Sequence, residues 1–171
     1  MKIAVIAALA AAGAAAPVPD ISTLDPAVIK TLIPDKIDWR PAEGLTGVEV
    51  SKLVGDQAKP GFYVVLNRFH PGSFSHPHYH PADRYIMVVS GTWWVATGAN
   101  YDPERNTVPL PAGSFVTHLG HEVHYDGSRA GTDGAVVMIF GYGPGTRIEC
   151  TGPRAEVGPG PCADALAKVR R

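Results

Sequence analysis

The stretch Gly72 to Gly91, Gly-Ser-Phe-Ser-His-Pro-His-Tyr-His-Pro-Ala-Asp-Arg-Tyr-Ile-Met-Val-Val-Ser-Gly, constrains this chain more than any other. It places His76, His78 and His80 at alternate positions just ahead of an apolar run. Alternate residues of a β-strand share a face, so at least two of these imidazoles can point into one space. Neutral imidazole is the commonest protein ligand for a transition metal, and a strand is stiff enough to keep neighbouring ligands convergent. The stretch predicts a metal site on a strand.

The rest of the composition narrows what surrounds such a site. A chain of 171 residues suggests one domain able to bury its own core. Its formal charge of -1, without a basic block, offers nothing to nucleic acid or an anionic membrane, which leaves a small-molecule ligand as the expected partner. With 19 glycines and 16 prolines, short strands and tight turns are favoured over long helices. Residues 1–16 combine Lys2, a short apolar run and an alanine tract ending at Ala16, the pattern of a secretory signal peptide, so no membrane anchor is expected once it is cleaved. The expected location is the periplasm or the exterior. Cys150 and Cys162 enclose a Gly- and Pro-rich segment and predict a disulfide, in keeping with export.

Along the chain, Asp25-Pro26 reads as an N-cap and first helical residue, with Ile29, Leu32 and Ile33 on one face and Pro34 as the stop. This predicts a short N-terminal helix. Val48 to Val54 and Phe62 to Phe69 read as an antiparallel hairpin. Tyr85 to Val89 follows the histidines, with Ser90-Gly91 read as a turn into Thr92 to Gly98. Trp93 and Trp94 must face opposite ways, one into the core and the other under the N-terminal segment or at an interface. Asn100 to Thr107 reads as a polar loop, and strand signals return at Gly113 to Thr117, His124-Tyr125, Ala135 to Phe140 and Arg147 to Glu149. Many short strands without alternating helices argue for an all-β sandwich or barrel.

Gly72, His78, His80 and Gly91 fall in register with the first motif of the cupin superfamily, and Gly113 and His124 with the second. The chain therefore resembles a small single-domain bacterial cupin of the ChrR-like kind. The resemblance departs at Arg84, which stands for the motif glutamate, and at Leu119, His121 and Ser128, which stand for a Pro, a Gly and an Asn. It implies a double-stranded β-helix, or jelly-roll barrel, over residues 45–149, with an N-terminal extension at 17–44 and a tail at 150–171. It further implies one divalent metal ion held by His78, His80 and His124, with Fe(II) the first expectation and Zn, Mn or Ni as alternatives, and a homodimer as a family habit.

Arginine has no lone pair to give a metal, so the site is expected to be three-histidine or to recruit His76, Asp83, His118 or His121. Arg84, if it points inward, suits an anionic substrate oxygen, and otherwise pairs with Asp83, Glu122 or another carboxylate. His121 and Tyr125 are expected as further catalytic groups, His118 or His121 as proton carriers. Three-histidine cupins include dioxygenases, which makes a dioxygenase of a small organic acid, diketone or phenol the first expectation. An oxygen-independent metal lyase or isomerase is the second, and a non-enzymatic metal or small-ligand binding cupin the third.

Overall fold

The computed structural model describes residues 20–155 and 158–169. The expected signal peptide lies outside the described residues. The described residues up to Ile37 form a unit of their own. Here the expected helix is replaced by a single turn: the Asp25 carbonyl accepts from Val28 and Ile29, its carboxylate accepts from Ala27, and a 3-10 turn covers Pro34–Lys36. Val28, Ile29 and Leu32 are exposed, so no buried face offsets the cost of nucleating so short a helix.

The unit from Asp38 onward is two antiparallel sheets that share one long strand. The first sheet runs β1 (Arg40–Pro41), β2 (Val48–Val54), β3 (Gly61–Phe69), β9 (Ala135–Gly143), the first half of β5 (Arg84–Thr97) and β7 (Phe115–His118). The second runs β6 (Val108–Pro111), the second half of β5, β8 (His124–Gly127), β4 (His78–Tyr79) and β10 (Ile148–Glu149). This is the jelly-roll barrel, and the β2–β3 hairpin pairs as expected. Side chains alternating inward from both sheets, among them Tyr63, Val65, Ile86, Val88, Trp93, Val137 and Ile139, form the core.

Two details differ from the sequence reading. Ser90-Gly91 is no turn: β5 continues through it, with a register shift between Val88 and Ser90. Gly91 sits at φ 72°, and a Cβ there would meet the Gly134 carbonyl. The bulge thus lets one strand bend from one sheet into the other. Trp93 is fully buried, while Trp94 on the other face lies under the Arg129 guanidinium at 3.8 Å. Second, the tail contains α1 (Pro161–Val169), joined to the barrel by the Cys150–Cys162 disulfide. Among the described residues no helix is long and apolar enough to cross a membrane.

Gly91→Ala is expected to destabilise the fold by about 2 kcal/mol or more, from left-handed backbone strain plus displacement of the facing carbonyl. Urea unfolding measures this, and a change within 0.5 kcal/mol would mean that β5 bends by another device.

Candidate metal centre

β4 and β8 are neighbours, and His78 lies directly opposite His124 across them. Facing residues of paired strands share a side of the sheet, and His80 lies two residues beyond His78, so the pleat brings three imidazoles together. Ring centroids are 4.5 Å apart for His78 and His124, 5.0 Å for His78 and His80, and 5.6 Å for His80 and His124. All three are buried.

Each ring is held by a main-chain carbonyl at Nδ1. His78 donates to His76 at 2.7 Å, His80 to Thr146 at 2.8 Å and His124 to Glu122 at 2.9 Å. An imidazole that donates from Nδ1 presents a lone pair at Nε2, the state and orientation required of a metal ligand. Nε2 of His80 and of His124 is buried without a hydrogen-bond partner. One donor atom from each of the three residues fits within a 4.8 Å set. The donor set therefore fits a divalent ion such as the motif resemblance implies.

Electrostatics keep these rings neutral. Burial, followed by the charges of His124 and Arg84, holds His78 well below its usual value. Burial and Arg84 do the same to His80, and take His124 down to about 3. A ring that stays unprotonated keeps its lone pair for a metal.

Arg84 begins β5 opposite Gly141 of β9 on one side and His118 of β7 on the other. It is 6% exposed and points inward. Neither expected carboxylate reaches it: Asp83 is exposed and accepts from the Gly120 N–H at 2.7 Å, and Glu122 is exposed as well. Among the described residues Arg84 makes no ion pair within 4.0 Å; one Nη donates to His118 Nδ1 at 3.3 Å and its Nε has no partner. His118 also packs on His124, 3.8 Å between ring centroids, and is held far below its usual value by burial and the charges around it.

Asp126 completes the group and was not anticipated. It lies two residues past His124 on the same strand face, which the alternation of β8 could have revealed. Its carboxyl is pushed up to about 6 by burial, partly offset by Arg84 and Arg147. One oxygen is without a partner, and a donor atom of Asp126 fits with His118 and His124 in a second set of the same span.

Other candidates are placed elsewhere. His76 turns to Tyr101, 5.1 Å between rings, and lines a separate cleft with Glu149 and Arg154. Tyr125 lies on the opposite strand face from His124; its hydroxyl donates to the Asn100 carbonyl and accepts from the Asp102 N–H, so it braces a loop instead of serving the cluster. His121 is exposed at the mouth of a cleft, its ring beside Tyr79. Its φ of 64° makes it the one non-glycine with positive φ among the described residues, which explains why the cupin motif has Gly there. Its backbone N–H donates to the His80 carbonyl at 2.7 Å.

Comparison with solved structures finds this fold repeatedly. The polyketide cyclase RemF from Streptomyces resistomycificus aligns with a TM-score of 0.58 at 14% identity, covering 74% of this chain and 89% of that one. An RmlC-like cupin from Shewanella frigidimarina aligns at 0.51 and 17% identity over 68% and 93% of the two chains. A structure from the study of the DMSP lyases RdDddP and RnDddQII aligns at 0.52 and 17% identity over 67% and 62%. A search of curated proteins by sequence finds no match. The family profile of the ChrR cupin-like domain, however, matches residues 29–140, and with the barrel topology around it this chain belongs to that cupin family.

Proposed function

We propose that the protein is an exported mononuclear metal enzyme acting on a small organic anion. The observation that carries this reading is a buried arginine, without a carboxylate partner within ion-pair distance among the described residues, beside three buried imidazoles whose Nδ1 atoms are already bonded. Export is supported by the disulfide, which needs an oxidising environment, and by the signal-like residues 1–16.

In this reading His78, His80 and His124 hold the ion through Nε2. A divalent ion there, Fe(II) first and Zn, Mn or Ni otherwise, supplies Lewis-acid polarisation of a substrate oxygen and, as iron, one-electron chemistry. The chain's own groups do the rest. Arg84 offers a guanidinium to a carboxylate, diketone or phenolate oxygen. His118, accepting from Arg84 at Nδ1, keeps its proton on Nε2 and can donate there. Trp93 and Tyr63 wall the barrel side and exclude water.

A dioxygenase is the first reaction class, since the three motif-register ligands are all neutral imidazoles. A second, an oxygen-independent lyase or isomerase, is favoured by His118, whose placement between Arg84 and His124 suits proton movement at a polarised substrate.

Elemental analysis of mature protein is expected to find about one divalent ion per chain, lost in His78→Ala and in His124→Ala. Iron with oxygen uptake on a panel of organic acids, diketones and phenols supports the first class; turnover without oxygen supports the second. Folded protein that takes up no metal on reloading would overturn the proposal. Arg84→Met is expected to keep the metal and weaken binding of anionic ligands about 10- to 100-fold, measured by titration calorimetry.

Metal-free protein is expected to lose stability steeply as pH falls below the ordinary histidine value of 6.5, because the unfolded chain takes up protons that the buried His78, His80, His118 and His124 refuse. Asp126 has the opposite sign: folded, it is protonated below about 6, whereas unfolded it stays ionised down to 3.8. The net uptake near pH 5 is roughly three protons, a slope of about 4 kcal/mol per pH unit at most. Urea midpoints between pH 5 and 7 test this, and a flat profile would show that the histidines are not buried neutral.

A further inference from the structure

A cleft of about 910 Å³ reaches the cluster, with His118 and His124 at its inner end. One wall of it is α1, which lies beyond the residues 29–140 matched by the family profile. That wall is fixed in place. Cys162 is bonded to Cys150, and the apolar face of α1 packs through Cys162 and Ala165 against Ala99 and Val123, with Tyr79 and Leu166 at the edge.

The lining changes character with depth. Ala99, Leu119, Val123, Pro161, Ala165 and Val169 give the cleft apolar sides. The charged groups among its lining residues are Glu122, Asp164 and Lys168, and the last two are i,i+4 neighbours on α1 that compensate each other. No net positive charge waits at the mouth for an anion. What would hold one lies inside, at a metal ion on the imidazoles, where His124 is 6% exposed and its Nε2 has no partner; Arg84 lies behind the lining and meets the cleft through its bond to His118. The volume is near the top of the range of roughly 300 to 1,000 Å³ for small-molecule sites, far more than a two-carbon acid fills.

We infer that this cleft is a substrate channel for an organic acid with an extended apolar body, the anionic head at the histidine cluster and the body read by α1. The position of the head rests on the metal-enzyme reading above; the role of α1 does not. Leu119 and Val169 are the residues that set the selectivity, since both are exposed apolar side chains lining the cleft, one just past β7 and the other on α1, and neither belongs to the core.

The test uses full-length zinc-loaded protein and titration calorimetry with acetate, butyrate, hexanoate and octanoate. Affinity is expected to rise with each added methylene, up to about fourfold per step, and at least tenfold from butyrate to octanoate. Leu119→Glu and Val169→Glu, both at exposed positions that the fold tolerates, are expected to remove most of that gain while leaving butyrate within twofold. An affinity that stays flat from acetate to octanoate overturns the inference, as does an equal loss for short and long acids in the variants. Failure of the metal reading looks different: no zinc is taken up, yet the chain-length dependence and its loss in the variants persist.

Discussion

The alignment of His78 with His124 across the β4–β8 pair is the contact on which the site depends. β4 is only two residues long, so its register cannot come from its own ladder alone. It is set from the other side, where Glu149 of β10 pairs with His78 and the Cys150 N–H donates to the Pro77 carbonyl at 2.7 Å. A slip of one residue would turn His78 and His80 out of the barrel together. The main-chain carbonyls of His76, Thr146 and Glu122 then fix the rings. Because these acceptors are backbone atoms, ring orientation follows from chain path and requires no further polar side chain in the interior.

Replacing the family glutamate by Arg84 reverses the charge at this point. A buried guanidinium carries a large desolvation cost unless something answers it. The structure answers in part with His118, which accepts one N–H, and in part with Asp126, whose carboxylate feels the Arg84 charge. Gly141, opposite Arg84 on β9, leaves clearance for the Tyr63 hydroxyl, which a Cβ there would approach to 3.3 Å. The interior end of the barrel thus holds the Arg84 guanidinium, the Asp126 carboxyl and neutral rings, with the guanidinium Nε still without a hydrogen-bond partner.

Much of this was legible because it follows from period and spacing. The hairpin of β2 and β3 and the opposite faces of Trp93 and Trp94 come from alternation alone; that Trp93 is the inward one is set by the packing of the two sheets. The histidines come from motif spacing, which backbone register preserves even where residue identities drift. Less legible were features decided by distant packing. Ser90-Gly91 has turn chemistry, yet the ladder to β9 carries β5 through it as a bulge. Asp25-Pro26 has helix-start chemistry, yet without a buried face only a turn forms. At α1 the signal was present: Pro161 at the first turn, then Cys162, Ala165, Leu166 and Val169 at helical spacing. It is overlooked when the cysteines are read only as a staple for a loop.

That staple has a second consequence for the site. In the chain-entropy picture, closing the loop between Cys150 and Cys162 contributes about 3 kcal/mol. Local geometry matters as much, because Cys150 directly follows β10, the strand that aligns β4. The same covalent bond therefore holds both the helix that walls the cleft and the end of the strand that orients His78. An isolated nine-residue helix would not persist in water. Anchored at its first turn and packed on Ala99 and Val123, it becomes a fixed surface beside His124. The tail is thus part of the architecture of the site, and selectivity can vary there without disturbing the strands that hold the histidines.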